Sequence, residues 1–144
     1  MVDSAREIEN LIYRYAELLD LGDIQGTAAL FASAELVGPD NKVQAKGVDA
    51  IAALYAGFVK LYDNGTPNTH HVTTNVIVEL AEDNITATAR SYFTVFQATD
   101  EFALQPIIAG RYHDEFICKN AAWQFSRRKM LPRLVGNMKS HQKG

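Results

Sequence analysis

Apolar residues recur at helical spacing through the first 62 positions and then change to alternation and β-branched runs beyond Pro67. Ile8, Leu11, Ile12, Tyr15, Leu18 and Leu19 fall three or four apart, one face of a helix. Ser4 followed by Glu7 predicts a capping box at its start, and Gly22 predicts its stop. Asp23 is placed to cap a second, short helix carrying Ile24, Ala28, Leu30 and Phe31. Two short extended pieces are expected around Gly38-Pro39-Asp40-Asn41, a turn sequence. A third helix, with Ile51, Leu54, Tyr55, Phe58, Leu61 and Tyr62 as its stripe, is expected to end near Asn64-Gly65.

Strands are predicted at about 70–80, 85–97, 106–118 and 121–131. The connections "AEDN" and "KNA" are short enough for hairpins. Helices first and a run of antiparallel strands afterwards predict an α+β fold, helices covering one face of a curved sheet. Such a layout leaves a pocket between the two layers.

Length and composition narrow the class. A chain of 144 residues with no repeat and no Pro- or Ser-rich linker is expected to be one domain, over 1–131, followed by a solvated basic tail over 132–144. It is 47% hydrophobic and 22% charged, and no apolar run approaches the roughly 20 residues of a membrane span. The segment "MVDSAREIEN" has no hydrophobic signal core, and the single Cys118 cannot form an internal disulfide. Both suit a soluble cytoplasmic protein, with Cys118 a small buried hydrophobe. A net charge of −3 argues against a nucleic-acid partner.

Candidate chemistry centres on "NTHHVTTNVIVEL", which holds two of the four histidines. Neighbouring strand residues face opposite ways, so His70 and His71 do not share a cavity. His70 has the parity of Val72, Val76, Val78 and Leu80, the more apolar set. His71 has that of Thr73, Asn75, Ile77 and Glu79, which suits a polar pocket wall. Asp20 stands at a helix C-terminus, where the macrodipole disfavours a carboxylate by about 0.3–1 kcal/mol. A residue placed against its electrostatic interest invites a functional reading, against that of a solvated carboxylate beside Gly22. No His-Glu-x-x-His or paired-Cys motif, glycine-rich phosphate loop or G-x-S-x-G elbow occurs, so no metal and no cofactor is expected.

The segments "IENLIYRYAELLDLGD", "THHVTTNVIVEL", "TATARSYFTVF", "IIAGRYHDEF" and "WQFSRRKM" resemble, in order, the SnoaL-like families of the nuclear transport factor 2-like superfamily. The resemblance spans residues 5 to about 131. It implies a cone: a long N-terminal helix against a strongly curved mixed sheet (the cystatin-like fold), with the pocket inside. In scytalone dehydratase-like and bile-acid dehydratase-like relatives, a histidine opening this strand pairs with an aspartate from the first helix. The matching positions here are His71 and Asp20, which leaves His70 outside.

The resemblance also marks Tyr15, five residues before Asp20, as a phenol able to polarise a carbonyl; core packing is the competing reading. Where scytalone dehydratase has a second pocket histidine this chain has Phe96, and where it has a tyrosine before the aspartate this chain has Leu19. Scytalone itself is therefore not the expected substrate. Tyr112 is read as a pocket residue and His113 as outward-facing. Arg127, in parity with Trp123 and Phe125, is read either as an anion-binding group or as half of an ion pair. Tyr55 and Phe58 are read as lid or as core.

These residues suggest a cofactor-free dehydratase or isomerase acting on a hydrophobic cyclic ketone or enone of polyketide, steroid or aromatic-metabolite type. The alternative is a non-catalytic ligand-binding protein or a ring-hydroxylating-oxygenase β-subunit, since this fold hosts both. A homodimer or homotrimer is expected, paired through the outer face of the sheet.

Overall fold

Asp3 begins the first helix. In the computed structural model, which describes residues 3–143, its side chain accepts a hydrogen bond from the Arg6 backbone N–H at 3.2 Å. Helix α1 therefore runs Ser4–Asp20, capped one residue earlier than the Ser4–Glu7 box predicts. A carboxylate answers the positive end of a helix better than a hydroxyl does. Ile8, Ile12, Tyr15, Ala16 and Leu19 form its buried face. The helix stops at Gly22, whose φ of +78° is left-handed and whose added Cβ would lie 2.0 Å from the Gly65 carbonyl oxygen. Only glycine satisfies both constraints, and its contact fixes the end of α1 against the 65–66 turn.

Asp23 caps helix α2 (Ile24–Ala29), accepting from Gly26 N–H at 2.7 Å. Strands β1 (Glu35–Val37) and β2 (Val43–Lys46) flank the expected turn. Helix α3 (Val48–Phe58) ends well before Asn64. Val59 turns extended and bridges to Gln142, while the Lys143 N–H takes the Phe58 carbonyl and the Lys60 N–H takes that of His141. The C-terminal segment thus competes for the groups that would continue the helix. Leu61 is left 42% exposed instead of joining the stripe.

Four long strands follow: β3 (Thr69–Leu80), β4 (Thr86–Thr99), β5 (Phe102–Lys119) and β6 (Ala122–Val135). With β1 and β2 they form one six-stranded sheet in the order β2-β1-β6-β5-β4-β3. Only the β1–β6 pair is parallel, so the fold is α+β with a mixed, mainly antiparallel sheet. Helix α1 packs chiefly on the edge strand β3. The core between the layers is rich in aromatics: Tyr15, Phe31, Tyr55, Phe93, Tyr112, Phe116, Trp123 and Phe125 are all buried. No helix among the described residues is long and apolar enough to cross a membrane.

Two interruptions of register decide which side chains face in. On β3 the pairing steps from Thr74↔Tyr92 to Ile77↔Arg90, and Asn75 has a left-handed φ of 56°. The extra residue is a bulge, which reverses the alternation. On β6 the pairing steps from Phe116↔Phe125 to Glu115↔Arg127 and leaves Ser126 over.

The expected solvated tail is instead part of the fold. Strand β6 continues past 131 to Val135, and Gly136 N–H bonds to the Ile107 carbonyl at 2.7 Å. Ser140 then accepts from the Tyr62 hydroxyl and from Gln97 Nε2, and His141 is 5% exposed. The basic charges there are real, but an apolar Met138 and a buried imidazole anchor the segment.

Candidate functional site

Asp20, the last residue of α1, receives three hydrogen bonds from the start of β3. Thr69 Oγ1 donates to Oδ1 at 2.7 Å, the His71 backbone N–H donates to Oδ2 at 2.7 Å, and His71 Nδ1 lies 2.5 Å from Oδ1. The unfavourable helix dipole is thus offset by donors from another element. Burial pushes the Asp20 carboxyl up, but the bonds and charge of His71 and the Thr69 hydroxyl outweigh it and hold the group below its usual range. The His71 side chain is 6% exposed and His70 is exposed. Inward residues on β3 are Thr69, His71 and Thr73 before the bulge, and Val76 and Val78 after it. That switch removes the conflict between His71 and the apolar parity of Val76 and Val78.

Tyr15 sits five residues before Asp20 on α1, fully inside, with its ring centroid 6.4 Å from that of His71. Its hydroxyl shares a 2.7 Å hydrogen bond with that of Tyr55. Its ring also meets Tyr112 edge-on at 5.9 Å, and Tyr112 stacks on Phe93 at 4.5 Å. Burial raises all three phenol pKa values, so each is a neutral hydroxyl at ordinary pH.

Under this aromatic floor lies a charge that the sequence reading missed. Arg128 is fully buried and bonds Asp114 in a bidentate pair, Nε to Oδ1 at 2.8 Å and Nη2 to Oδ2 at 2.9 Å. Its guanidinium carbon lies 3.6 Å from the centroid of Tyr112 and 4.4 Å from that of Tyr15. Burial works against the charge, but Asp114 overrides it and keeps the guanidinium firmly protonated. Nη1 has no hydrogen-bond partner among the described residues.

Arg127, chosen from parity with Trp123 and Phe125, is not the inward arginine. The bulge at Ser126 turns it outward, where it reaches Glu115 at 3.5 Å and Glu35 at 3.8 Å with a side chain 34% exposed. Phe96 is also corrected. It pairs with exposed His70 on the outer side of β4, whereas Val95 and Gln97 face inward. Tyr55 and Tyr112 are interior, and Phe58 is half-buried beside Tyr55 at 5.4 Å. His113 is exposed and Cys118 half-buried. The structure therefore joins Asp20, His71, Tyr15, Tyr55 and Tyr112, and adds Thr69, Asp114 and Arg128. Asp114 had a signal, since it alternates with Gly110, Tyr112 and Phe116 on an otherwise apolar face. Among the described residues no cluster of three or more His, Cys, Asp or Glu side chains is placed to hold a metal ion.

Comparison with known proteins agrees with this architecture. The SnoaL-like domain family matches residues 1–129. No curated protein matches the chain. Among solved structures, a nuclear transport factor 2-like protein with a cystatin-like fold from Novosphingobium aromaticivorans is 27% identical, with a TM-score of 0.71, covering 88% of this chain and 79% of that one. A candidate scytalone dehydratase from the same organism is 24% identical with a TM-score of 0.71, covering 90% and 84%. ActVI-ORFA from Streptomyces coelicolor is 20% identical with a TM-score of 0.69, covering 89% and 96%. The last two share the fold. With its helices on a cystatin-like sheet and nearly its whole length matched, the chain belongs to the SnoaL-like domain family.

Proposed function

We propose that this domain is a cofactor-free dehydratase or isomerase for a hydrophobic cyclic ketone or enone of polyketide, steroid or aromatic-metabolite type. The observation that carries the reading is the Asp20–His71 pair facing the interior at 2.5 Å. Asp20 fixes Nδ1, which leaves Nε2 as the base for a proton α to a carbonyl. The C–H pair becomes an enolate, and the proton resides on His71. It then returns either to a departing β-hydroxyl, giving water and an enone, or to a distal carbon, giving an isomer. Tyr15, neutral and already bonded to Tyr55, donates to the enolate oxygen, with the Arg128 charge behind its ring favouring that anion. The candidate scytalone dehydratase among the structural relatives is consistent with such chemistry.

The test is a screen of cyclic β-hydroxy ketones for the ultraviolet band of an enone. Turnover with at least one, abolished by His71→Ala, is expected. Turnover that survives His71→Ala would assign the chemistry elsewhere.

A further inference from the structure

A second polar group is sealed beside the Asp20–His71 pair. Gln97 lies on the inward face of β4 and pairs with Thr69, whose hydroxyl bonds Asp20. Gln97 Nε2 donates to the carbonyls of Pro67 and Ser140, each at 3.0 Å. The next residue, His141, is 5% exposed and held at both ends, its N–H on Met138 and its carbonyl under the Lys60 N–H. Asp20, Thr69, Gln97, Ser140 and His141 are thus linked step by step across four segments of chain: α1, β3, β4 and the stretch after β6.

Two atoms of this group are left over. Gln97 Oε1 and His141 Nδ1 are buried with no hydrogen-bond partner among the described residues. Buried polar atoms are almost always partnered, and these two belong to side chains connected through the Ser140 carbonyl, so they call for a missing group. The chemistry of that group is restricted. An amide oxygen only accepts, whereas a neutral imidazole nitrogen accepts or donates according to its tautomer. A carboxylate offers Gln97 no donor, and a cation would find Asp20 already engaged by three donors. A hydroxyl fits both atoms: its proton goes to Gln97 Oε1, and its lone pair takes the Nδ1–H of His141. Burial, with the His71 charge against it and Asp20 only partly offsetting, lowers the His141 pKa to about 4, which keeps the imidazole neutral.

We infer that Gln97 and His141 form a hydroxyl-binding subsite next to His71, selecting ligands that carry an alcohol. This deepens the proposed function, placing the hydroxyl of a hydroxy ketone beside the base; only the ketone part rests on that reading.

The full-length protein, with 15N-labelled histidines, is titrated with cyclohexanone and with 4-hydroxycyclohexanone, whose hydroxyl is not β to the carbonyl and is not eliminated, and the four imidazoles are followed by long-range proton–nitrogen NMR. Both ligands are expected to move His71, and only the alcohol to move His141. The hydroxyl should tighten binding by about tenfold or more in the wild type and by less than about twofold in Gln97→Met and His141→Phe. If either variant fails to fold, the wild-type comparison alone decides. Equal affinity for the two ligands, or an alcohol that leaves His141 unmoved while His71 shifts, overturns the subsite and spares the base. A shift of His141 without His71 supports the subsite and counts against the base. No shift at either histidine overturns both.

Discussion

Oδ1 of Asp20 lies 2.5 Å from Nδ1 of His71, across 51 positions of sequence. A glycine that cannot be replaced stops the helix on one side of this contact, and the backbone N–H of His71 clasps the same carboxylate on the other. The pair is therefore built into the junction of α1 and β3, not hung from flexible loops. Positioning of this kind is what an acid–base site requires.

The bulge on β3 should be sensitive to backbone chemistry. Asn75 occupies a left-handed conformation, which costs most L-residues about 1–2 kcal/mol and β-branched ones at least as much. Asn75→Val is expected to lower the unfolding free energy by roughly that amount, and Asn75→Gly to change it by less than about 0.5 kcal/mol. Urea unfolding of the two variants checks this. Equal stabilities would mean that the bulge does not constrain the strand.

The two neighbouring arginines should behave very differently. Arg128→Met leaves Asp114 buried without its partner, a loss of about 3–5 kcal/mol. Arg127→Met removes a half-exposed pair worth about 0–1 kcal/mol. The double variant Asp114→Leu/Arg128→Met should recover much of the first loss, because no orphaned charge remains. Thermal unfolding of the three proteins separates these cases.

Much of this architecture was legible in the sequence. The stripe from Ile8 to Leu19, the Asp23 cap and the four long strands all stand where the spacing puts them, within a few residues. On the strands, strict alternation fails where the chain adds a residue. Arg127 and Arg128 exchange faces because Ser126 is extra. The same effect at Asn75 gives His70 the parity of the apolar Val76 and Val78, so parity leaves both faces of β3 open, and the family resemblance points to His71. The end of α3 and the burial of His141 depend on a contact between residues 59 and 142, which no local pattern encodes.

His141 makes stability depend on pH. Its folded pKa of about 4 lies below the roughly 6.5 of a free imidazole, so the unfolded chain binds more protons between these values. Stability should be full above about pH 6.5 and fall as pH drops toward 4, by at most about 3 kcal/mol. The charged groups acting on it are His71 on β3 and Asp20 on α1. The depressed Asp20 carboxyl works in the more acid range, contributing stability that is lost as pH falls through its folded value. Urea unfolding at pH 7.5 and 4.5 should show a smaller pH dependence in His141→Phe than in the wild type.

Ile77, Tyr92 and Leu134 expose 46%, 46% and 66% of their surface on the strands, a pattern suited to self-association. We expect a homodimer or homotrimer. Light scattering at micromolar concentration should give a multiple of 16.0 kDa, and Tyr92→Glu should lower it. A monomer mass for the wild type would rule the assembly out.

The most direct test of the central claim watches the proton itself. A panel of cyclic ketones, from cyclohexanone to a steroid 3-ketone, is incubated with the protein in deuterated water, and α-deuteration is followed by NMR. With at least one ketone the wild type should speed exchange, His71→Ala should fall to the buffer rate, and Asp20→Asn should lose about 10²–10⁴-fold. Exchange that persists in His71→Ala, or a ketone bound beside His71 with no exchange at all, would contradict the assignment of this pair as the base.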